Sequence, residues 1–185
     1  MEKKYKLTEE SIKFALRTLY RIEALKDFRD VKKGDKGGFI EDEYNLSHDG
    51  NSWVYGNAMV YGNAMVYGNA MVCGNAMVYG NARVCDNAMV YGNAIVYGNA
   101  MVCGNAMVCD NIKIENNSDY IVFKNWWSSG RYFTWTRSND MWKVGCFYGT
   151  GEELIKKAYK DSEKSGREYE RIVKYVEEIK KYNGK

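Results

Sequence analysis

Proline is absent from all 185 residues, so no position is barred from donating a backbone N–H to a long ladder. Histidine occurs once, at His48, which removes any three-histidine metal site and most routes to general-base catalysis. No apolar run approaches the roughly 18 residues that a membrane-spanning helix needs. The basic start, Met1 to Lys6, has no apolar stretch behind it and does not read as a secretory signal. The five cysteines are an odd number with no CxxC pair, which fits reduced thiols in a cytosol better than a disulfide framework or a zinc site. The expected location is therefore cytoplasmic, with no membrane partner. Charge is scarce in the middle of the chain. Residues 51–116 hold Arg83 and Lys113 against Asp86, Asp110 and Glu115, too neutral a stretch to imitate duplex phosphate. Residues 1–50 balance eleven basic and eleven acidic side chains, whereas residues 117–185 carry fourteen basic against ten acidic.

What fills that neutral middle is a repeat. From Asn51 to Asn116 the chain reads as eleven hexads of the form Asn-Ala-Met-Val-Tyr-Gly, with asparagine in all eleven first slots and valine in ten of the fourth. Successive side chains of a strand face opposite ways, so Ala58 and Val60 point to one side while Met59 and Tyr61 point to the other. Gly-Asn then turns the chain, since both residues tolerate positive φ. Four extended residues and a corner every six make a coil, with small Ala and Val filling a narrow interior and bulky Met and Tyr outside. The pattern resembles the hexapeptide repeat of left-handed parallel β-helices, three hexads to a coil, although glycine stands two places after valine instead of directly after it. Eleven hexads then give about 3.7 coils and a stack roughly 18 Å tall at a rung spacing of ~4.8 Å.

More closely still, the chain resembles bacteriophage and prophage hexapeptide-repeat, "polymer-forming"-like proteins. The likeness rests on a lead-in of the kind Thr18 to Phe28 and Gly34-Asp-Lys-Gly-Gly-Phe-Ile-Glu41, and on a tail of the kind Trp127-Ser-Ser-Gly-Arg131 and Gly145-Cys-Phe-Tyr-Gly149. It implies a phage origin and a mainly β fold: a left-handed parallel β-helix over residues 51–116, an N-terminal cap over 1–50 and a C-terminal α+β module over 117–185. Within the cap, Ile12, Ala15, Leu16 and Leu19 have helical spacing, and Tyr20 to Ala24 alternate like a strand. In the tail, strands are expected at Tyr120–Lys124, Arg131–Arg137 and Met141–Tyr148. Thr150-Gly-Glu-Glu153 is a capping box opening a helix, and Ser165-Gly166 is expected to separate it from a second.

Stacking at i, i+18 sorts the outward side chains into three files: one led by Trp53 and Tyr55, one by Met59 and Tyr61, one by Met65 and Tyr67. The exterior is strongly apolar, and such patches usually mark interfaces or are covered by flanking segments. Met59, Tyr61, Met77, Tyr79, Ile95 and Tyr97 are the expected seam of a homo-oligomer. Asparagine suits the corners, where stacked amides bond along the ladder. Cys73, Cys85, Cys103 and Cys109 occupy tyrosine slots; Cys85 and Cys103 stack one rung apart but in poor orientation for a bridge, and all are expected to be free thiols.

The superfamily that the repeat resembles includes acyltransferases and carbonic anhydrases. The anhydrase zinc needs three histidines, and an acyltransferase needs a histidine base within the helix, whereas His48 precedes the first full hexad and reads as a surface turn residue. No P-loop, dinucleotide motif or nucleophile elbow is present. The residues therefore call for no catalytic group, no cofactor and no metal. Four of the five tryptophans fall between Trp126 and Trp142, and Arg131, Phe133, Trp135 and Arg137 share one strand face. They either stack on nucleotides or form a protein hot spot, or else pack beneath the two helices while the arginines snorkel. Trp126, Trp127, Arg131, Tyr132, Trp135 and Arg137 are the expected recognition residues for an acidic partner. The function expected is that of a non-enzymatic phage accessory protein that binds a host defence protein or its nucleic-acid complex, in the manner of an anti-CRISPR inhibitor. A nucleotide or small-molecule binder is the alternative, and an acyltransferase relative a more distant one.

Overall fold

The computed structural model describes residues 2–182 and divides into two compact units, one running through Tyr120 and the other from Ile121. The first unit opens with two long antiparallel strands, β1 (Tyr5–Phe14) and β2 (Arg17–Ala24), followed by β3 (Lys36–Ile40). Ala15 and Leu16 form the turn between β1 and β2, with φ of 46° and 64°. The helical spacing of Ile12, Ala15, Leu16 and Leu19 is thus a false period. Ile12 and Phe14 alternate along a strand, Leu19 faces them from the next, and the two-residue turn has the positive φ of a hairpin without its usual glycine or asparagine.

Eleven two-residue strands, β4 (Trp53–Val54) through β14 (Lys113–Ile114), then recur at six-residue intervals. Rungs eighteen residues apart pair in parallel, Met59 against Met77 and Met77 against Ile95, so one coil consumes three hexads. Three sheets result: β1-β2-β3-β5-β8-β11-β14, β13-β10-β7-β4 and β12-β9-β6. The chain is thus a mainly β protein with a solenoid of about four turns and a C-terminal two-helix module.

The small inward residues do what their size predicts. Alanine and valine of every hexad from Ala58 to Val108 are fully buried. Burying a valine side chain contributes on the order of 1.5–3 kcal/mol, and the sum over the rungs is what opposes the entropy of ordering so short a repeat. Glycine closes the corners with positive φ; a Cβ on Gly92 would stand 2.9 Å from the Asp110 nitrogen one rung away, so the coils stack backbone to backbone there.

The first coil is irregular and begins ahead of the repeat. Phe39 lies opposite Met59 and Leu46 bridges to Val66, offsets of twenty residues instead of eighteen. Buried Asn45 repairs the mismatch, its amide donating to the carbonyls of Gly62 at 3.1 Å and Ala64 at 2.8 Å. Lys4, fully buried, closes the same end: its ammonium donates to the Ser52 carbonyl at 2.8 Å and lies 5.2 Å from the Phe28 ring centroid. Burial pulls that ammonium down to about 8, against the opposing effect of the Asp49 carboxylate. At the other end the Met101 N–H donates to Asn117 Oδ1 at 2.7 Å and the Tyr120 hydroxyl donates to the Met101 carbonyl at 2.8 Å, which satisfies groups that a further rung would have paired.

The second unit packs a four-stranded sheet, β15 (Tyr120–Lys124), β16 (Tyr132–Thr136), β17 (Met141–Val144) and β18 (Phe147–Gly149), against α1 (Gly151–Asp161) and α2 (Glu163–Tyr182). Thr150 caps α1 as the capping box requires, accepting from the Glu153 N–H at 3.2 Å. Two boundaries differ from the sequence reading. Met141–Tyr148 is two strands joined at Gly145, whose φ of 56° folds the segment back on itself. The helices part at Ser162, not at Ser165-Gly166; Ser162 terminates α1 in an extended conformation and its hydroxyl accepts from the Ser165 N–H at 3.1 Å. Gly166 lies within α2, and a Cβ there would sit 2.3 Å from the Tyr159 ring; it is a contact glycine, not a break.

Candidate functional site

The six residues expected to recognise a partner all lie in the second unit, but they are divided between its core and its surface. Trp135 is fully buried and donates from its indole nitrogen to Asp140 Oδ1 at 2.9 Å. Trp127 is buried too, edge-on to Tyr169 with ring centroids 4.9 Å apart and to Phe133 at 6.3 Å. These two belong to the cluster that holds the helices on the sheet, so no partner reaches them. Arg137 is half-buried at the end of β16. The shared strand face is therefore split: Phe133 and Trp135 lie in the core, Arg131 is exposed and Arg137 half-buried, and Thr134 and Thr136 on the opposite face are buried as well.

What reaches solvent is a smaller cluster. Trp126 is 69% exposed, and Arg131 and Tyr132 are exposed beside it in sequence and in the loop's closure. The Lys124 ammonium lies 5.6 Å from the centroid of the Tyr132 ring. Asn125 builds this loop. Its N–H donates to the Arg131 carbonyl at 2.8 Å, its carbonyl accepts from Gly130 at 2.8 Å, and its side-chain oxygen takes the Ser128 N–H and hydroxyl, both at 3.0 Å. Its amide nitrogen donates to the Tyr169 hydroxyl at 3.1 Å, which ties the loop to α2. Residues 125–131 thus form a closed turn that holds the Trp126 indole out and the Trp127 indole in. Neither Asn125 nor Lys124 stood out in the sequence; an asparagine before Trp-Trp-Ser-Ser-Gly was the available signal.

The expected seam residues do share one sheet. The rings of Tyr61, Tyr79 and Tyr97 stack with centroids 5.0 and 5.4 Å apart. The N-terminal hairpin covers the upper end of this file, with Ile12, Phe14 and Leu19 against Met59, Tyr61 and Tyr79. Burial pushes the Tyr61 hydroxyl up to about 12. Met77, Tyr79, Ile95 and Tyr97 stay half-buried lower down.

Two further sequence readings are corrected. His48 is not a surface turn residue: its ring stacks on buried Tyr5 at 4.3 Å, its Nδ1 accepts the Lys4 N–H at 3.2 Å, and its Nε2 lies 3.7 Å from Glu43. The ring thus has a structural role in closing the first coil. Cys85 and Cys103 are not free thiols either. They are joined as a disulfide between adjacent rungs, because the ladder brings their Cα atoms to 4.7 Å, within the range a bridge spans. Cys73, Cys109 and Cys146 remain thiols, and burial raises that of Cys73. Stacked amides do run along the corners as expected, Asn75 to Asn93 at 3.2 Å and Asn93 to Asn111 at 3.3 Å among them.

With this geometry in place, the comparisons with known proteins bear on the first unit alone. Residues 54–68, 60–73, 72–84 and 82–98 match the family model described as the YdcK beta solenoid repeat, so this stretch is similar to a known solenoid repeat. No curated protein matches the chain.

Proposed function

We propose that this is a non-enzymatic phage accessory protein that recognises an acidic host macromolecule, with a nucleic-acid-targeting defence complex as the target class. The observation that carries the reading is the exposed Lys124, Trp126, Arg131, Tyr132 cluster on and beside the closed 125–131 turn, two cations interleaved with two aromatic rings. The excess of basic residues beyond residue 117 favours an acidic partner. Phage origin rests on the likeness of the lead-in and tail segments to phage proteins. A left-handed helix of the hexapeptide type rests on the six-residue period with asparagine at every corner. Self-association through Met77, Tyr79, Ile95 and Tyr97 belongs to the same reading, and light scattering would then give a mass above the 21.3 kDa of one chain; a single-chain mass overturns that part.

The main test is relief of a host nucleic-acid-targeting defence in cells expressing the protein. Wild type should relieve restriction, and a Trp126→Ala, Arg131→Ala variant with unchanged circular dichroism should not. A wild type without effect, or a folded double variant with full effect, rejects the assignment.

A further inference from the structure

Between Asn57 and Gly104 the hexads depart from Asn-Ala-Met-Val-Tyr-Gly at six positions only: Cys73, Arg83, Cys85, Asp86, Ile95 and Cys103. Three of the six fall in the single hexad Asn81-Ala82-Arg83-Val84-Cys85-Asp86, and a fourth, Cys103, is stacked directly on it in the next rung. Three of these, Cys85, Asp86 and Cys103, meet at one corner. Cys85 Sγ, Cys103 Sγ and a carboxylate oxygen of Asp86 lie within 4.8 Å of one another.

Asp86 is the most telling of the three. It stands where the neighbouring hexads place glycine, and it keeps the glycine conformation at φ 58°, a region that residues other than glycine disfavour. Its Oδ2 accepts the Gly104 N–H at 3.0 Å, which aims the carboxylate across the rung toward Cys103. Arg83, exposed in the outward slot two residues before Cys85, adds a positive charge on the same strand.

We propose that, when the Cys85–Cys103 bond is reduced, this corner binds a divalent cation of zinc type through the two thiolates and the Asp86 carboxylate, with water as the fourth ligand. An external thiol or phosphine supplies the two electrons, is itself oxidised to its disulfide or phosphine oxide, and leaves one proton on each sulfur as the S–S bond breaks; the cation then displaces both protons to solvent. Two soft thiolates with one hard oxygen suit zinc or cadmium over magnesium or calcium. Sulfurs bound to one tetrahedral zinc stand about 3.8 Å apart, a separation that adjacent rungs supply without moving the backbone. Buried Cys85 and exposed Asp86 give the site one dry side and one open to water. The disulfide and the metal use the same sulfurs, so each state excludes the other.

The test uses the whole chain, reduced with a phosphine that is then removed under argon, and titrated with cadmium ion alone while the ultraviolet thiolate-to-metal band is recorded. One equivalent should bind. Cys103→Ser should abolish the band, and a Cys73→Ser, Cys146→Ser variant should retain it. Asp86→Asn can still accept from Gly104 and so keeps the corner folded, yet it should weaken binding about ten-fold or more. Zinc should displace the cadmium, and the oxidised protein should bind neither. A reduced wild type without the band, a band of full strength in Cys103→Ser, or Asp86→Asn binding like wild type would each reject the site.

Discussion

The two units bury their apolar surface in opposite ways. In the solenoid the interior is made of alanine and valine, repeated until no single side chain dominates, and each rung touches only the rungs above and below. In the second unit the interior is concentrated in a few large rings, with Trp127, Phe133, Trp135, Trp142 and Tyr169 all in one cluster. Stability spread over many equal small parts tolerates the loss of one part. Stability gathered into a few rings does not.

The sharpest way to break the comparison is to remove one inward side chain from each unit. Trp135→Ala should cost about 3–5 kcal/mol and melt the second unit in a separate, earlier thermal transition. Val78→Ala in the solenoid should cost about half as much and leave one shifted transition; equal costs would erase the contrast. Alkaline pH should come next in size and act on the first unit. The Tyr61 hydroxyl is raised in the folded state, so between pH 10 and about 12 the unfolded chain loses protons that the folded one keeps, and stability must fall as pH rises through that window. Each tenfold difference in proton affinity between the two states is worth about 1.4 kcal/mol, so the loss reaches on the order of 2–3 kcal/mol for Tyr61 alone. It should be readable as a falling denaturant midpoint in the solenoid transition, and a midpoint that holds steady across the window would show that the hydroxyl is not so protected. The smallest effect separates two corners of the same repeat. Gly92→Ala brings a Cβ to 2.9 Å from the Asp110 nitrogen, whereas Gly104→Ala meets nothing within 4 Å. Both share the strain of positive φ, roughly 1 kcal/mol, so Gly92→Ala should lower the melting temperature visibly more; matching melts would mean that stacking clearance is not what the corner glycines supply.

The solenoid was legible because its signal is written many times. The inward Ala and Val, the eighteen-residue coil and the three outward files follow from a period that one odd residue cannot disguise. Where the chain states something only once, local pattern misled. Ile12, Ala15, Leu16 and Leu19 mimic a helix by coincidence of spacing around a hairpin turn that lacks glycine. Gly166 looks like a break but is a point of helix contact, which only the position of Tyr159 reveals. The tryptophans beyond Trp126 carry the residue types of a binding surface, yet whether an indole faces a partner or a helix is decided by packing that sequence spacing does not contain. Asn125, which sorts Trp126 outward and Trp127 inward, had no periodic context to mark it. The disulfide was half visible: stacking of Cys85 on Cys103 followed from the period, but side-chain direction at a corner did not.

Pairing at eighteen residues also fixes the unit in which this protein can change length. Adding or deleting eighteen residues inserts or removes a whole storey and returns every side chain to its own file. A change of six preserves the hexad but shifts everything after it to the next face, so Cys103 would no longer lie over Cys85 and Tyr97 would leave the tyrosine stack. A change of one residue turns the interior out. Eighteen residues is therefore the step that keeps both the interior and the lateral files, whereas six keeps the interior alone.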